Sequence, residues 1–344
     1  MTRPMRITFT VDPELPVPPG GYGGVERIAD IVVRGLAARG HAVTLVAHSA
    51  STVAVPLVPW PGRSSQSLID TVRNTATLAR HVASFRPDVI ASFSRIAYLA
   101  PLLPLKVPKV MTFHRAITPR SVRWGHTLSR GSLEFTAISE WMLRDVRGLG
   151  RWTMVPNGVP LDTFTFQPTT APDAPFVFLG RIEEIKGPHL AIELARRCGR
   201  KLVIAGNIPE EKHSWVEAQV MPHVDGEQVR YVGPVNDAQK NALLGQAAAL
   251  LMPILWDEPF GLVMAEALAC GTPVLGLRRG AVPEVVDDGV TGFVRDTLDE
   301  LVEAATALPA IDRAACRRAV EERYSETAVV DGYEAVYRRA VARG

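Results

Sequence analysis

Residues 167–206 read QPTTAPDAPFVFLGRIEEIKGPHLAIELARRCGRKLVIAG. The first nine positions, 167–175, hold three prolines, two threonines and no apolar periodicity, which is the composition of a linker. Phe176–Leu179 is a short apolar run that predicts a strand. Apolar side chains recur at helical spacing over 189–198, and 201–205 (KLVIA) predicts the next strand. A strand, a helix and a strand directly after a break predict a new domain built on a parallel sheet.

The same alternation runs outward in both directions. Downstream, strands are predicted at 229–232, 250–253 and 273–277, with helices at 238–248 and 261–270 between them. Helices at 298–308, Arg313–Arg323 and 327–342 close the chain. Upstream, strands are predicted at 5–10, Ala42–Ala47, 88–92, 109–112, 134–137 and 153–156, with helices over 25–39 and 65–85. In the first of these helices Ile28, Ile31, Val32 and Leu36 share a face, and Gly40 stops it. The fold class expected is α/β, with two doubly wound Rossmann-like domains facing a cleft. They are assigned to residues 1–166 and 176–325, with 167–175 as linker and 326–344 as a terminal helical segment.

Composition agrees with that plan. The 344 residues suit two domains, and 47% hydrophobic with 22% charged residues is a globular balance. A net charge of +2 gives no global reason to expect nucleic acid. Cys198, Cys270 and Cys316 are scattered through segments read as helix, which argues against a disulfide framework and a thiolate metal site. They suit a reducing, cytoplasmic setting. The first residues, MTRPMRITFT, lack the apolar core of a signal peptide, and no apolar run is long enough to span a bilayer. Peripheral contact at the inner membrane face stays open.

In doubly wound sheets ligands lie beyond the carboxyl ends of the strands. Residues just after strands therefore carry the functional reading. Residues 258–266 read EPFGLVMAE, and Gly271 with Pro273 ends the helix that they start. The amides of Gly261, Leu262 and Val263 fall at the helix start, without intrahelical acceptors, where the dipole favours an anion. Glu258 lies in the loop before the helix and Glu266 more than one turn inside it. A carboxylate accepts hydrogen bonds from two vicinal hydroxyls, as on a ribose. The stretch reads as a phosphate cradle with a hydroxyl-binding carboxylate at each end, although two acids at this spacing are on their own more often solvated.

Three further stretches point the same way. Phe176–Leu179 runs into Gly180-Arg181, with Lys186-Gly187 five residues on, a plausible diphosphate clamp of a planar fork and a point charge. After the first strand, PPGGYGGVE (18–26) offers Gly20, Gly21, Gly23 and Gly24, whose amides could meet a phosphate or sugar. His114 follows a strand and could bind the transferred group or support charge development. Between His114 and Arg151 there are seven arginines against three acids, an excess that an anionic acceptor, a lipid surface or plain solvent could account for.

In order, the chain carries GGYGGVER, TFH, FTAIS, VPNGV, FLGRIEEIKGP, IAGN, YVGPV, EPFGLVMAEALACGTPVLG and AVPEVVDDGVTGF. This set, over nearly the whole chain, resembles the retaining family-4 glycosyltransferases of GT-B architecture. The resemblance implies that Glu266 binds the nucleotide ribose. Glu258 would hold donor-sugar hydroxyls, helped by the amides of Phe260, Gly261 and Leu262. Arg181 and Lys186 would neutralise the diphosphate, and Gly23 and Gly24 would face it from the first domain. His114 would lie over the reacting centre. Asn157, Val263, Asn207, Pro234 and Val235 join the donor-binding set, the last three near the base. The last helix, with Val330, Tyr333, Val336, Tyr337 and Val341 in a stripe, would pack back on the first domain.

Two departures stand out. The first domain is short for the family between Ser49 and Ser65, and Arg115 follows His114 where relatives commonly carry an acid. The family works without a metal, and no Asp-x-Asp motif follows a strand here. The expected reaction is transfer of a sugar from a nucleoside-diphosphate sugar to an acceptor hydroxyl by front-face attack. The donor, a UDP-sugar first, is a co-substrate, and no other cofactor is expected. The base stays open among uracil, guanine and adenine. The acceptor is a carbohydrate, a lipid or a natural product, and nucleic acid is not expected. A sugar-nucleotide epimerase or hydrolase, or a silent nucleotide-sugar-binding protein, are the alternatives.

Overall fold

The computed structural model describes residues 3–21 and 23–344; Tyr22 of the glycine-rich stretch lies outside them. The chain begins β1 (Arg6–Thr10), α1 (Gly24–Ala38), β2 (Ala42–Ala47), β3 (Leu57–Pro59), α2 (Leu68–Phe85), β4 (Val89–Ser92), β5 (Lys109–Phe113), α3 (Pro119–Ser129), β6 (Leu133–Ala137) and β7 (Trp152–Met154). It continues β8 (Phe176–Leu179), α4 (Pro188–Arg197), β9 (Leu202–Ala205), α5 (His213–Gln219), β10 (Val229–Tyr231), α6 (Asp237–Gln246), β11 (Ala249–Met252), α7 (Leu262–Ala269) and β12 (Val274–Leu277). It ends α8 (Val282–Val285), β13 (Gly292–Arg295), α9 (Leu298–Ala305), α10 (Arg313–Arg323) and α11 (Glu326–Arg343).

Two compact units result: Met1–Asn157 with Glu326–Gly344, and Gly158–Ser325. The first holds a seven-stranded sheet in the order β3-β2-β1-β4-β5-β6-β7, the second a six-stranded sheet in the order β10-β9-β8-β11-β12-β13. Every strand pair is parallel. The central strands are buried on both faces, which is why they read as apolar runs rather than alternating ones.

The chain leaves the first unit nine residues before the expected boundary of 166. Residues 167–175 do not join the units; they lie inside the second. Gln167 donates its amide to Cys270 O (3.0 Å), and Arg313 Nε donates to Gln167 O (2.7 Å). Arg200 likewise donates to Pro172 O (2.6 Å). The prolines mark irregular backbone, and arginine side chains satisfy the carbonyls that such backbone leaves unpaired.

Five elements were not foreseen: β3, β13, α3 and the short helices α5 and α8. β3 and β13 are short sheet-edge strands, and β3 is partly exposed, so neither has a long apolar run. Part of the arginine-rich stretch after His114, for which no element was predicted, folds into α3, with Pro119 in its first turn. Cys198 and Cys270 prove to be the residues that follow α4 and α7, and only Cys316 lies inside a helix. All three are free thiols.

α11 belongs to the first unit. A Cβ on Gly35 of α1 would stand 2.4 Å from Val330, so the two helices meet at a residue without a side chain. Tyr333 packs its ring on Phe93 (5.2 Å between centroids). Arg39 reaches both Asp331 (2.6 Å) and Glu334 (2.7 Å). Val329, Val330, Tyr333, Val336, Tyr337 and Ala340 face inward; Val341, expected in that stripe, is only half-buried.

Candidate active site

Each sheet reverses its winding once, between β1 and β4 in the first unit and between β8 and β11 in the second. Loops leaving two such strands turn to opposite faces and open a crevice between them. In the second unit those loops are Gly180–Gly187 after β8 and residues 253–261 after β11. The two motifs singled out in the sequence thus meet at one place.

The backbone holds them together. Leu255 donates its amide to Ile185 O at 2.8 Å. Gly187 has φ 76° and sits so close that a Cβ would stand 2.1 Å from Pro253 O. Only glycine meets both demands. On the far side, Ala281 donates to Glu258 O (2.8 Å) and Gly280 to Asp257 Oδ1 (3.1 Å), which fixes the Glu258 loop.

Lys186 and Glu258, expected to serve different parts of a donor, pair with each other. Lys186 Nζ donates to Glu258 Oε2 at 2.6 Å, and Trp256 Nε1 donates to the same oxygen at 3.2 Å. The ammonium also lies 4.7 Å from the Trp256 ring centre, within cation–π range. Arg181 stands beside them in sequence, its Nη2 2.8 Å from Glu183 Oε1. Its side chain is about one third exposed.

Gly261, with φ 78°, precedes α7, which begins one residue later than expected. Phe260 is buried edge-on against Tyr324 (5.4 Å), and Leu262 and Val263 are half-buried. Glu266 is the fifth residue of α7 and only 6% exposed. Lys240 Nζ of α6 donates to its Oε1 at 2.6 Å and lies 3.3 Å from Asp237. Glu266 Oε2 is buried without a hydrogen-bond partner. A buried carboxylate oxygen with no donor is costly unless a ligand supplies one.

Asn207 and Pro234 follow β9 and β10, on the other side of β8, and are exposed; Val235 is half-buried. Asn207 O accepts from the Ile182 amide (2.9 Å), and Gly206 N donates to Gly233 O (2.9 Å), so these loops are tied to the Arg181 turn.

In the first unit His114 lies at the carboxyl end of β5 with its ring against Phe93 (4.6 Å). Both ring nitrogens are buried, and the Asn157 side chain approaches without reaching full hydrogen-bond geometry. Burial, and then the charge of Arg115, push the imidazole down to about 3. His114 is therefore neutral at ordinary pH. Gly23 precedes α1, with Glu26 beside it: a Cβ on Gly23 would be 3.0 Å from Glu26 Oε2. Burial raises the Glu26 carboxyl, and it raises Asp12, after β1, to about 6. Gly24 opens α1 itself.

Sequence reasoning missed Lys240 and Trp256. Trp256 lies two residues from Glu258 and was within reach of it. Lys240 carried only the signal of Asp237 three positions earlier on the same helix, a pair common on any solvated face.

Known proteins are similar to this chain in sequence and in fold. The profile of the family described as glycosyl transferases group 1 matches residues 164–322, and that of glycosyltransferase family 4 matches residues 22–163. The chain is 31% identical over 281 residues to a glycogen synthase of Mycobacterium tuberculosis (strain ATCC 25618 / H37Rv), covering 72% of this chain and 66% of that protein. It is 32% identical over 224 residues to a D-inositol 3-phosphate glycosyltransferase of Xylanimonas cellulosilytica, covering 57% and 54%. The matches thus span just under two thirds and about half of those relatives' lengths. In fold, the chain is similar to AviGT4, a glycosyltransferase involved in avilamycin A biosynthesis (TM-score 0.74, 23% identity, 99% of both chains). It is also similar to Anabaena Alr3699/HepE solved with UDP-glucose (TM-score 0.75, 17% identity, 97% of this chain and 100% of that one). With its two halves matched in sequence order by the two family profiles, the chain belongs to the group 1, family 4 glycosyltransferases.

Proposed function

We propose that the protein transfers a sugar from a nucleoside-diphosphate sugar to an acceptor hydroxyl, with retention of anomeric configuration. The observation that carries this reading is Glu266, a carboxylate fixed by Lys240 through one oxygen while the other is buried and unpartnered. Two vicinal ribose hydroxyls are suitable donors for it. Glu258, held by Lys186 and Trp256, is assigned to donor-sugar hydroxyls. Arg181, Lys186 and the amides of Phe260, Gly261 and Leu262 are assigned to the diphosphate. The relative solved with UDP-glucose favours a UDP-sugar as donor.

In the proposed step the acceptor oxygen bonds to the anomeric carbon on the face that the phosphate leaves. The bond from that carbon to the phosphate oxygen breaks, and its electron pair stays on the diphosphate. The acceptor proton passes to a departing phosphate oxygen. Arg181 and Lys186 stabilise the charge that gathers there, as preorganised cations do in a site shielded from water. Double displacement would need a free carboxylate nucleophile. Glu258 is assigned here to donor-sugar hydroxyls and is held by Lys186 and Trp256 through Oε2, which supports the single front-face step. His114, being neutral, would act toward a sugar as a hydrogen-bonding group only. Carbohydrate, lipid and natural-product hydroxyls all fit this chemistry as acceptors.

Titration with UDP, GDP and ADP, followed by assay of nucleoside diphosphate release from the matching sugar nucleotide, tests the reading. Tight binding of one base and release that rises with acceptor are expected. Equal release without acceptor would replace transfer by hydrolysis, and binding of none of the three would remove the donor site.

A further inference from the structure

α3 carries a surface that the transfer reading does not use. Its inner face is small: Val122, Gly125 and Ser129 are buried. Its outer face presents Arg120, Arg123, Trp124, Thr127 and Leu128 at spacings of three, four, seven and eight from the first, around one open depression of about 300 Å³. Trp124 is 41% and Leu128 40% exposed, a large apolar cost in water.

The arginines on this face differ from three of those that follow them. Arg144 stacks on Trp141, Arg147 pairs with Glu140, and Arg151 lies 3.4 Å from Glu134. None of the described acids forms an ion pair with Arg120 or Arg123. Two unpaired guanidinium groups flank an indole, and a leucine lies one turn on. That pattern combines charge complementarity to phosphates with an apolar wedge suited to the headgroup layer.

A second patch lies on the same side of the sheet. Leu68, Ile69 and Val72 in the first turns of α2 are 83%, 67% and 69% exposed. α2 follows β3 and α3 follows β5, so both helices start at the carboxyl edge of the first sheet. Both pack on the 3-10 segment Ile96–Leu102. No described helix is long and apolar enough to cross a membrane, so any attachment through these helices is peripheral.

We propose that the outer face of α3 docks on an anionic bilayer, with Arg120 and Arg123 on lipid phosphates and Trp124 and Leu128 in the headgroup layer. The proposal is independent of which sugar or base the enzyme uses.

The test is co-sedimentation of the full chain with phosphatidylcholine vesicles, with and without phosphatidylglycerol, alongside R120Q/R123Q and W124S/L128S. Each basic side chain near an anionic surface is worth about 1 kcal/mol, or about fivefold in partition, so R120Q/R123Q should lower binding about 30-fold. W124S/L128S should lower it as well, because part of the attachment is apolar. The substituted side chains face solvent, and matching thermal melts would show that the variants are folded. Wild-type binding no stronger with phosphatidylglycerol than without it would overturn the proposal, as would unchanged binding by R120Q/R123Q. Binding of heparin as tight as that of the vesicles, with W124S/L128S unchanged, would make the face a general polyanion patch and not a membrane contact.

Discussion

Lys240 and Glu266 are 13% and 7% exposed at their side chains, so each is the other's main compensation for burial. Removing one partner of such a pair leaves an uncompensated charge, at a cost of about 3 kcal/mol or more. Lys240→Met should therefore lower the unfolding free energy by that order. The double variant Lys240→Met/Glu266→Gln should recover most of it. Urea denaturation of both single variants, Lys240→Met and Glu266→Gln, and of the double variant measures this, and a double variant as unstable as the sum of the two singles would show that the pair is not coupled. Glu266 was singled out in the sequence by its place after a strand, a proline and a helix start, and its role by resemblance alone. Lys240 was not, since its partner lies 26 residues away on another helix and only the packing of α6 on α7 brings them together. The pairing of Lys186 with Glu258 was hidden for the same reason, at a separation of 72 residues.

At the scale of elements, α11 is held by a charge network as well as by its tyrosines. Burial would raise the Glu334 carboxyl, but hydrogen bonds from Arg39, Arg338 and His41 outweigh it and bring the group down to about 2. The folded value lies below the unfolded one, so this group adds stability above the ordinary carboxylate range and loses it as pH falls through about 2. From a shift of this size the contribution at neutral pH is up to about 3 kcal/mol. Glu334→Gln should be less stable than wild type at pH 7, and the gap should narrow as pH drops from 4.5 toward 2. A gap that does not change with pH would assign the loss to packing instead. Helix α11 was legible from its apolar stripe, and its return to the first unit was implied by resemblance alone. The arginine-rich α3 was not legible, because its inner face is formed by a valine, a glycine and a serine, which carry little apolar signal.

At the scale of the whole molecule, both sheets were legible as alternating strands and helices, because strands buried on both faces must be apolar throughout. The boundary was misplaced because proline content marks irregular backbone, whereas membership of a unit depends on long-range partners such as Arg313. The central claim is the proposed division of the donor in the crevice between β8 and β11, with its ribose assigned to Glu266 and its sugar to Glu258. The direct measurement is calorimetric titration of wild type, Glu266→Ala and Glu258→Ala with the nucleoside diphosphate that binds best and with its sugar nucleotide. Unpaired hydroxyls in a closed site cost about 1 to 3 kcal/mol per group, so Glu266→Ala should weaken both ligands by about tenfold or more. Glu258→Ala should leave the diphosphate within a few-fold of wild type and weaken only the sugar nucleotide. Equal loss of diphosphate affinity in the two variants would contradict that division of the donor.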